Sequence, residues 1–576
     1  MNPVLRRASS RVRSLVLPSL LILTGSPFVR AADGEWTTAA DGVWSDVGTG
    51  HWANGLVADG AGHTADFASV DINRTVTVRL GYPRMIGNLV FGDTRPLKAA
   101  GWVVSDGGNR QNTLTLAGPT PTITVDANGD VATTVTIAAV IAGDGGLIKD
   151  GKGDAATSVL VLRAANTYAG GTSVRTGTLV VANDSALGRG AVEVAPGARL
   201  LFQEGASVGN TIHLGGGDAL HNPVGNHTLA GLVNLRADAS VSVESGRLIF
   251  AGGLNTGGRT LTVATRGGGV VELAGAINGG GCVTKGASDG RLVIAGDNRS
   301  AYSGTTTLQR GVLDVGHDGA LGRGPLVLAV VNDAPGAIRA GGPAAREIVN
   351  AVRIVGGNVR SRYVFGSAGA AFNGDIAFTG TADVELADSI VRGFVVHNRT
   401  RFDAGFFGKG GLLLESGDGT LVLNGINTYT GETTIDAGTL LVNDSLSISS
   451  EVTVNRGGRL GGLGSVGDVA FRAGAALACE VADVTQAGGL AATRITGDGL
   501  GGFTVYLTGE AAGFDPRSDY RWTVLTCGNG DDIRLENIAL DASGFGPKTT
   551  GAFRLSRDAN SLYIDHIGAG DDASSR

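Results

Sequence analysis

Three groups of side chains have the types and spacing to do chemistry. His213, His221 and His227 lie close together in sequence, but their intervals match no zinc-ligand pattern and no cysteine or acid pair completes a set. Asp383, Glu385 and Asp388 form an acidic stretch, with a second acid pair at Asp531-Asp532. Carboxylates on one face beside a cation would suit general acid–base work or calcium. Read as a strand, however, 383–388 places only Asp383 and Glu385 on one face, opposite Val384 and Leu386. Gly528-Asn529-Gly530-Asp531-Asp532 has the composition of a calcium-binding nonapeptide turn, yet it occurs once where tandem copies are needed. No nucleophile elbow, Walker loop or dinucleotide fingerprint stands in a strand-to-helix context. The chain therefore offers no catalytic residue, no cofactor-binding residue and no metal ligand set. The reading is that it is not an enzyme and uses no cofactor.

The elements available to position side chains are short strands. Gly supplies 96 of 576 residues, while 42% of the chain is hydrophobic and only 14 residues are Pro. That combination excludes a solvated linker and a collagen, and it suits many strands joined by tight turns. Segments such as Thr75–Leu80, Thr122–Val125, Val241–Glu244 and Val452–Val454 alternate apolar and polar residues with period two. No amphipathic helix of three turns is present. Strands this short bury a face only by stacking on neighbours.

The amino terminus carries an export signal. Arg6, Arg7, Arg11 and Arg13 precede the apolar run Leu15–Leu23, which is too short to span a bilayer. Val29-Arg30-Ala31 sets cleavage after Ala31 or Ala32. Removing residues 1–31 changes the formal charge from −7 to −12, which disfavours nucleic acid as a partner. No transmembrane span is expected in the mature chain. Of Cys282, Cys479 and Cys527, the last two can form a disulfide in an oxidising compartment or remain small buried hydrophobes.

Internal repetition decides the stacking. Asn166, Tyr168, Gly170, Gly177 and Leu179 recur as Tyr302, Gly304, Gly311 and Leu313, and again as Asn427, Tyr429, Gly431, Gly438 and Leu440. Each Tyr is followed nine residues later by the Gly that precedes a strand. A Leu-Gly-Arg-Gly turn begins 19 residues after Tyr168 and after Tyr302. Copy two has Ser300 where the others have Asn166 and Asn427. The Tyr is expected to anchor a corner with its ring packed and its hydroxyl in water. The Gly residues supply positive φ angles, and the alternating strand feeds a narrow core. At about 20–25 residues per rung, the body would be a rod roughly 100–130 Å long.

These motifs resemble the autotransporter-associated β-strand repeat, also called the passenger-associated transport repeat. The likeness covers about 35 residues in each of three places. Trp36, Trp44 and Trp52, and the Gly-rich rung from Val454 to Gly464, are similar to the flanks of such proteins. The resemblance implies an exported, all-β, right-handed parallel β-helix with capping segments at both ends. It implies an extracellular or cell-surface location and a structural or adhesive role toward a surface or matrix component, a glycan among the options. A polysaccharide lyase or hydrolase on the same fold is the alternative. The expected organisation is a signal peptide at 1–31, a Trp-rich section and cap at 32–140, and a solenoid at 141–470 with repeats near 143–190, 280–324 and 408–446. A C-terminal section and cap follows at 471–567, where Tyr506, Trp522 and Tyr563 are placed to close the end, and then a polar tail at 568–576. A translocator barrel is not expected within the chain, since the alternating, aromatic-girdled strands it requires are missing.

Overall fold

The computed structural model describes residues 31–568, apart from 47, 49, 96–99, 332–333, 359–360, 387–388, 486–488, 498–501, 529–533 and 547–550. The signal segment up to Arg30, the tail from Ala569, and the candidates Asp388, Asn529, Gly530, Asp531 and Asp532 lie outside the described residues.

The chain winds into a parallel β-solenoid of about 18 turns. Its strands form four ladders of 13, 16, 19 and 9 strands, called here the first to fourth sheets. The first runs from Gly34–Glu35 to Ile277–Asn278, and the second from Gly42–Val43 to Phe406–Gly408. The third runs from Ser207–Val208 to Ser561–Ile567, and the fourth from Arg346–Ile348 to Ala539–Phe545. Among the described residues the helical elements are single 3-10 turns such as Ala370–Phe372, and no helix is long and apolar enough to cross a membrane.

Period-two alternation builds the core directly. His227, Leu248, Val271, Leu292, Leu313 and Ile338 stand in register on successive strands of the third sheet, and all point inward. Each is buried, with at most 1% of its surface exposed. Burying such a side chain contributes about 1.5–3 kcal/mol, so the stack supplies the stability that a single short strand lacks.

The middle turns keep the expected length. Ile212, Val233, Leu254 and Ile277 pair at intervals of 21, 21 and 23 residues. Other turns are longer: Val505 pairs with Leu540, and Ile348 with Phe378. Loops in those turns use residues without adding rungs, so the axial length is nearer 85 Å than the rod predicted from sequence.

Where the fourth sheet enters and the second ends, the core is filled by rings. Phe365, Phe378, Phe394, Phe402 and Phe406 pack with centroids 4.4–5.9 Å apart along successive contacts. At the amino end Trp36, Trp44, Trp52 and Phe67 are buried together, and the indole of Trp44 donates to the Ala58 carbonyl at 2.9 Å. Their burial removes these indoles as platforms for a sugar. At the other end the pairing reverses, with Ser561–Ile567 antiparallel to both Tyr520–Cys527 and Ala552–Arg557. Trp522 is in the core there, whereas Tyr506 lies under the Arg459 guanidinium and Tyr563 lies under that of Arg521.

Candidate functional site

Each recurrent motif occupies one corner of the solenoid, and its residues divide the work. Asn166 is buried, receives the Ile141 amide at 2.8 Å and donates to the Ala186 carbonyl at 2.7 Å, so one amide joins three turns. Asn427 does the same between the Phe406 amide and the Ser445 carbonyl, at 3.0 and 2.9 Å. In the second copy this role belongs to Asn298, which takes the Ile277 amide and gives to the Ala320 carbonyl, both at 2.7 Å. The chain then makes a tight turn, with the Tyr302 amide bonded to the Asn298 carbonyl, so the Asn sits two positions earlier than sequence alignment placed it.

The tyrosines depart from expectation. Tyr168, Tyr302 and Tyr429 are buried whole, hydroxyl included. Tyr168 meets the Thr172 hydroxyl at 2.5 Å, and the Thr172 hydroxyl donates to the Leu187 carbonyl at 3.0 Å. Tyr429 meets Thr433 at 2.7 Å, which continues to Ser450 and the Gly431 carbonyl. Tyr302 donates to the Thr305 carbonyl at 2.9 Å. Burial pushes the Tyr302 phenol up to about 12 and raises the other two strongly. A hydroxyl expected in water is thus satisfied inside: in the first and third copies the Thr four residues on turns its side chain toward the same corner, and in the second a backbone carbonyl takes that part.

Two kinds of glycine explain the motif. Gly177, Gly311 and Gly438 have φ of 67°, 79° and 69°, the left-handed region that ends a corner. Gly170, Gly304 and Gly431 are not in that region. A Cβ on them would collide with the backbone of Gly146, Gly281 and Gly410 on the preceding turn. Leu179, Leu313 and Leu440 are fully buried in the inward ladders.

Among the buried cations that sequence reasoning missed, two lie beside the repeats. Lys149 and Lys285 have no exposed surface and stand in register with Val174 and Leu308, at equivalent places before the first two corners. The Lys149 ammonium reaches Ser158 Oγ at 2.8 Å, the Thr176 carbonyl at 3.1 Å and the Asp150 carbonyl at 3.2 Å. That of Lys285 reaches the Ser288 carbonyl and hydroxyl at 2.5 and 3.0 Å, and the Gly286 carbonyl at 3.2 Å. Burial pushes both down to about 8, outweighing the nearby aspartates. In the third copy Leu414 takes this place, paired with Ile435.

The remaining candidates do not converge. His213, His221 and His227 lie on strands of the first, second and third sheets, and only His227 points into the core. Asp383 accepts the Gly405 amide at 3.0 Å, which closes a turn, while Glu385 faces out between buried Val384 and Leu386. Cys479 and Cys527 are buried free thiols, and the bridge weighed from sequence is not formed. Among the described residues no group of three or more His, Cys, Asp or Glu is placed to hold a metal ion.

The outward residues differ from face to face. On the third sheet Asp314 is buried beneath Arg291 and Arg339, paired with both, and Phe372 stacks on the two guanidinium groups. Arg247 pairs with Glu272 on the same face. On the first sheet Glu193, His213, Asn234, Asn255 and Asn278 follow one another in register, and Asn255 donates to Asn234 at 3.2 Å. These are long polar ladders.

Comparison with known proteins agrees with this geometry. The family model for the Passenger-associated-transport-repeat matches residues 157–181, 287–315 and 415–442. Each match begins at or before one strand and ends at the close of the strand that pairs with it one turn later: Ser158–Leu162 with Thr178–Val181, Arg291–Ile294 with Gly311–Val315, and Thr420–Leu423 with Gly438–Val442. Over 188 residues the chain is 37% identical to the Adhesin BmaC autotransporter of Brucella suis biovar 1 (strain 1330). That stretch covers 32% of this chain and 5% of the larger protein. The chain carries three passenger-associated transport repeats, each of them one turn of its solenoid, and a third of its length is similar to an autotransporter adhesin.

Proposed function

We propose that this chain is an exported, surface-displayed or extracellular interaction protein of the adhesive kind and not an enzyme. The observation that carries the reading is the coincidence of each repeat match with one solenoid turn, together with the similarity to a protein named as an adhesin. The physical arrangement supports it. Long outward ladders offer many equivalent weak contacts, which add through multivalency, whereas catalysis needs one groove with a base and a partner. The partner is a surface or matrix component. Cleavage after Ala31 or Ala32 releases the mature chain, and the buried indoles at one end and the antiparallel strands at the other close the exposed edges of the solenoid.

Beads coated with the purified mature chain, passed over cells and immobilised matrix polymers, test the reading. Saturable retention that soluble chain competes away is expected. Absence of retention on every surface, or reproducible release of new chain ends from a polysaccharide panel, would overturn it.

A further inference from the structure

The solenoid exchanges one of its sides part-way along. In the middle turns the order is first, second and third sheet, as in Val233–Leu235, Ala239–Val243 and Arg247–Phe250. Later it is second, third and fourth, as in Leu326–Leu328, Gly336–Ala340 and Arg346–Ile348. The fourth sheet therefore takes the side that the first sheet leaves after Ile277–Asn278. Arg346–Ile348 opens that sheet and, among the described residues, pairs only with Ile376–Phe378 above it. Beneath it lies the corner of the second repeat. Among the described residues, every hydrogen bond between 315–324 and 346–350 uses a side chain. Arg346 Nε donates to the Val315 carbonyl at 3.3 Å, and the Glu347 amide donates to Asp318 Oδ1 at 3.1 Å. Asn350 Nδ2 donates to the Gly322 and Gly324 carbonyls at 3.1 and 2.6 Å. On the second and third sheets the ladders run through this step unbroken.

A buried charge cluster crosses the same step on the third sheet. Asp314 precedes the step and Arg339 follows it, on strands that pair directly. Asp314 has no exposed surface; it accepts from Arg291 Nε at 2.9 Å on the turn below and pairs with Arg339 on the turn above. Two guanidinium groups around one carboxylate leave a surplus positive charge. The Phe372 ring meets it, with its centroid 4.0 Å from Arg339 and 4.8 Å from Arg291, and a ring face is the negative pole of the aromatic quadrupole. Phe372 comes from a later turn, in the loop between Arg362–Phe365 and Ile376–Phe378. To reach Arg291 it folds back over three strand spacings, ~14 Å.

We propose that this step is a joint between two stretches of solenoid, and that the Arg291–Asp314–Arg339 cluster under Phe372 is the clasp that keeps it shut. With ladders on two sides in place of three, the step has fewer backbone bonds than the turns above it to resist local opening. The clasp acts as a unit. A carboxylate buried between two cations is held strongly only while its partners, and the ring that excludes water, stay in place. Lifting the loop admits water to Asp314 and weakens both pairs. The loop is thus a strap whose position sets the stiffness of the solenoid at this point.

Hydrogen exchange of the mature chain, read peptide by peptide, tests this. Phe372→Ala should speed exchange about tenfold at 311–324 and 336–350 and leave 212–273 unchanged. Phe372 is half-buried and lies outside the ladders, so this variant keeps them intact. Phe372→Tyr keeps the ring and should protect as the parent does. Asp314→Asn should act at least as strongly as Phe372→Ala, and joining the two should add little, because both disable one unit. Arg247→Met with Glu272→Gln breaks an ion pair elsewhere on the same face and should leave the joint as it is. Exchange at the joint that is equal in Phe372→Ala and the parent would overturn the proposal. So would two variants whose effects simply multiply, or an acceleration spread evenly along the chain.

Discussion

The first two repeats and the third solve the same corner with different interiors. Ahead of the first and second corners a buried ammonium, Lys149 or Lys285, gathers carbonyls and a serine hydroxyl. Ahead of the third, Leu414 fills that place with carbon, while the tyrosine's hydroxyl chain, present in the first repeat as Tyr168–Thr172, runs on through Thr433 to Ser450. The stacked glycines, the positive-φ glycine and the inward leucine are common to all three. The rung spacing and the apolar ladder are therefore the fixed requirements of the turn, and the polar filling of its corner is exchangeable.

The largest effect should come from breaking what the repeats share. Gly304→Ala would drive a methyl into the carbonyl of Gly281, where backbone cannot yield without opening the rung. We expect a loss of more than about 3 kcal/mol and early proteolysis near the second repeat. Gly170→Ala and Gly431→Ala should behave alike, measured by urea unfolding and limited proteolysis. Tolerance of any one of the three would show that its corner is not held at the common spacing.

An intermediate effect should separate the first two repeats from the third. The folded-state pKa of each lysine lies below the free value, so between about pH 8 and 10.5 the unfolded chain binds more protons. Stability should then rise with pH across that window, on the order of 3 kcal/mol for each lysine before its hydrogen bonds are counted. Below pH 8 the cost of the buried charge is fully present. Lys149→Met with Lys285→Met should flatten the rise relative to the parent in urea midpoints at pH 7.5 and 10. An identical pH dependence in the two proteins would mean that the ammonium groups are already paid for by their carbonyls.

The smallest effect concerns the hydroxyl chains. Tyr429→Phe removes a link from a buried hydroxyl chain and should cost about 1 kcal/mol. Tyr302→Phe, whose hydroxyl meets one backbone carbonyl, should cost less. Equal melting shifts for the two variants would erase this distinction.

Much of the solenoid was legible in the sequence, because period two and the fixed Tyr-to-Gly interval follow directly from strand pleat and corner geometry. Leu179, Leu313 and Leu440 were readable for the same reason. Asn298 was not: the extra turn before Tyr302 shifts it by two positions, and alignment by the Tyr then pairs Ser300 with Asn166. The buried lysines were hidden by their company, since Lys149-Asp150-Gly151 and Lys285-Gly286 have the composition of a solvated loop. The tyrosine hydroxyls were misplaced because the inward turn of Thr172 and Thr433 depends on the next rung, which local sequence does not report.

The match between repeat and turn also governs how such a chain can change. Thr178–Val181 pairs with Ser158–Leu162 behind it and Arg199–Phe202 ahead of it, and meets only those two strands in its sheet. Removing or duplicating one such period leaves every remaining ladder in register and alters length by a single rung of about 5 Å. A one-residue slip within a strand turns its inward leucines toward water, whereas the loops between strands absorb changes in length. The number of rungs is therefore a quantised variable, and descendants can lengthen or shorten the solenoid by copying or losing whole turns without redesigning a core.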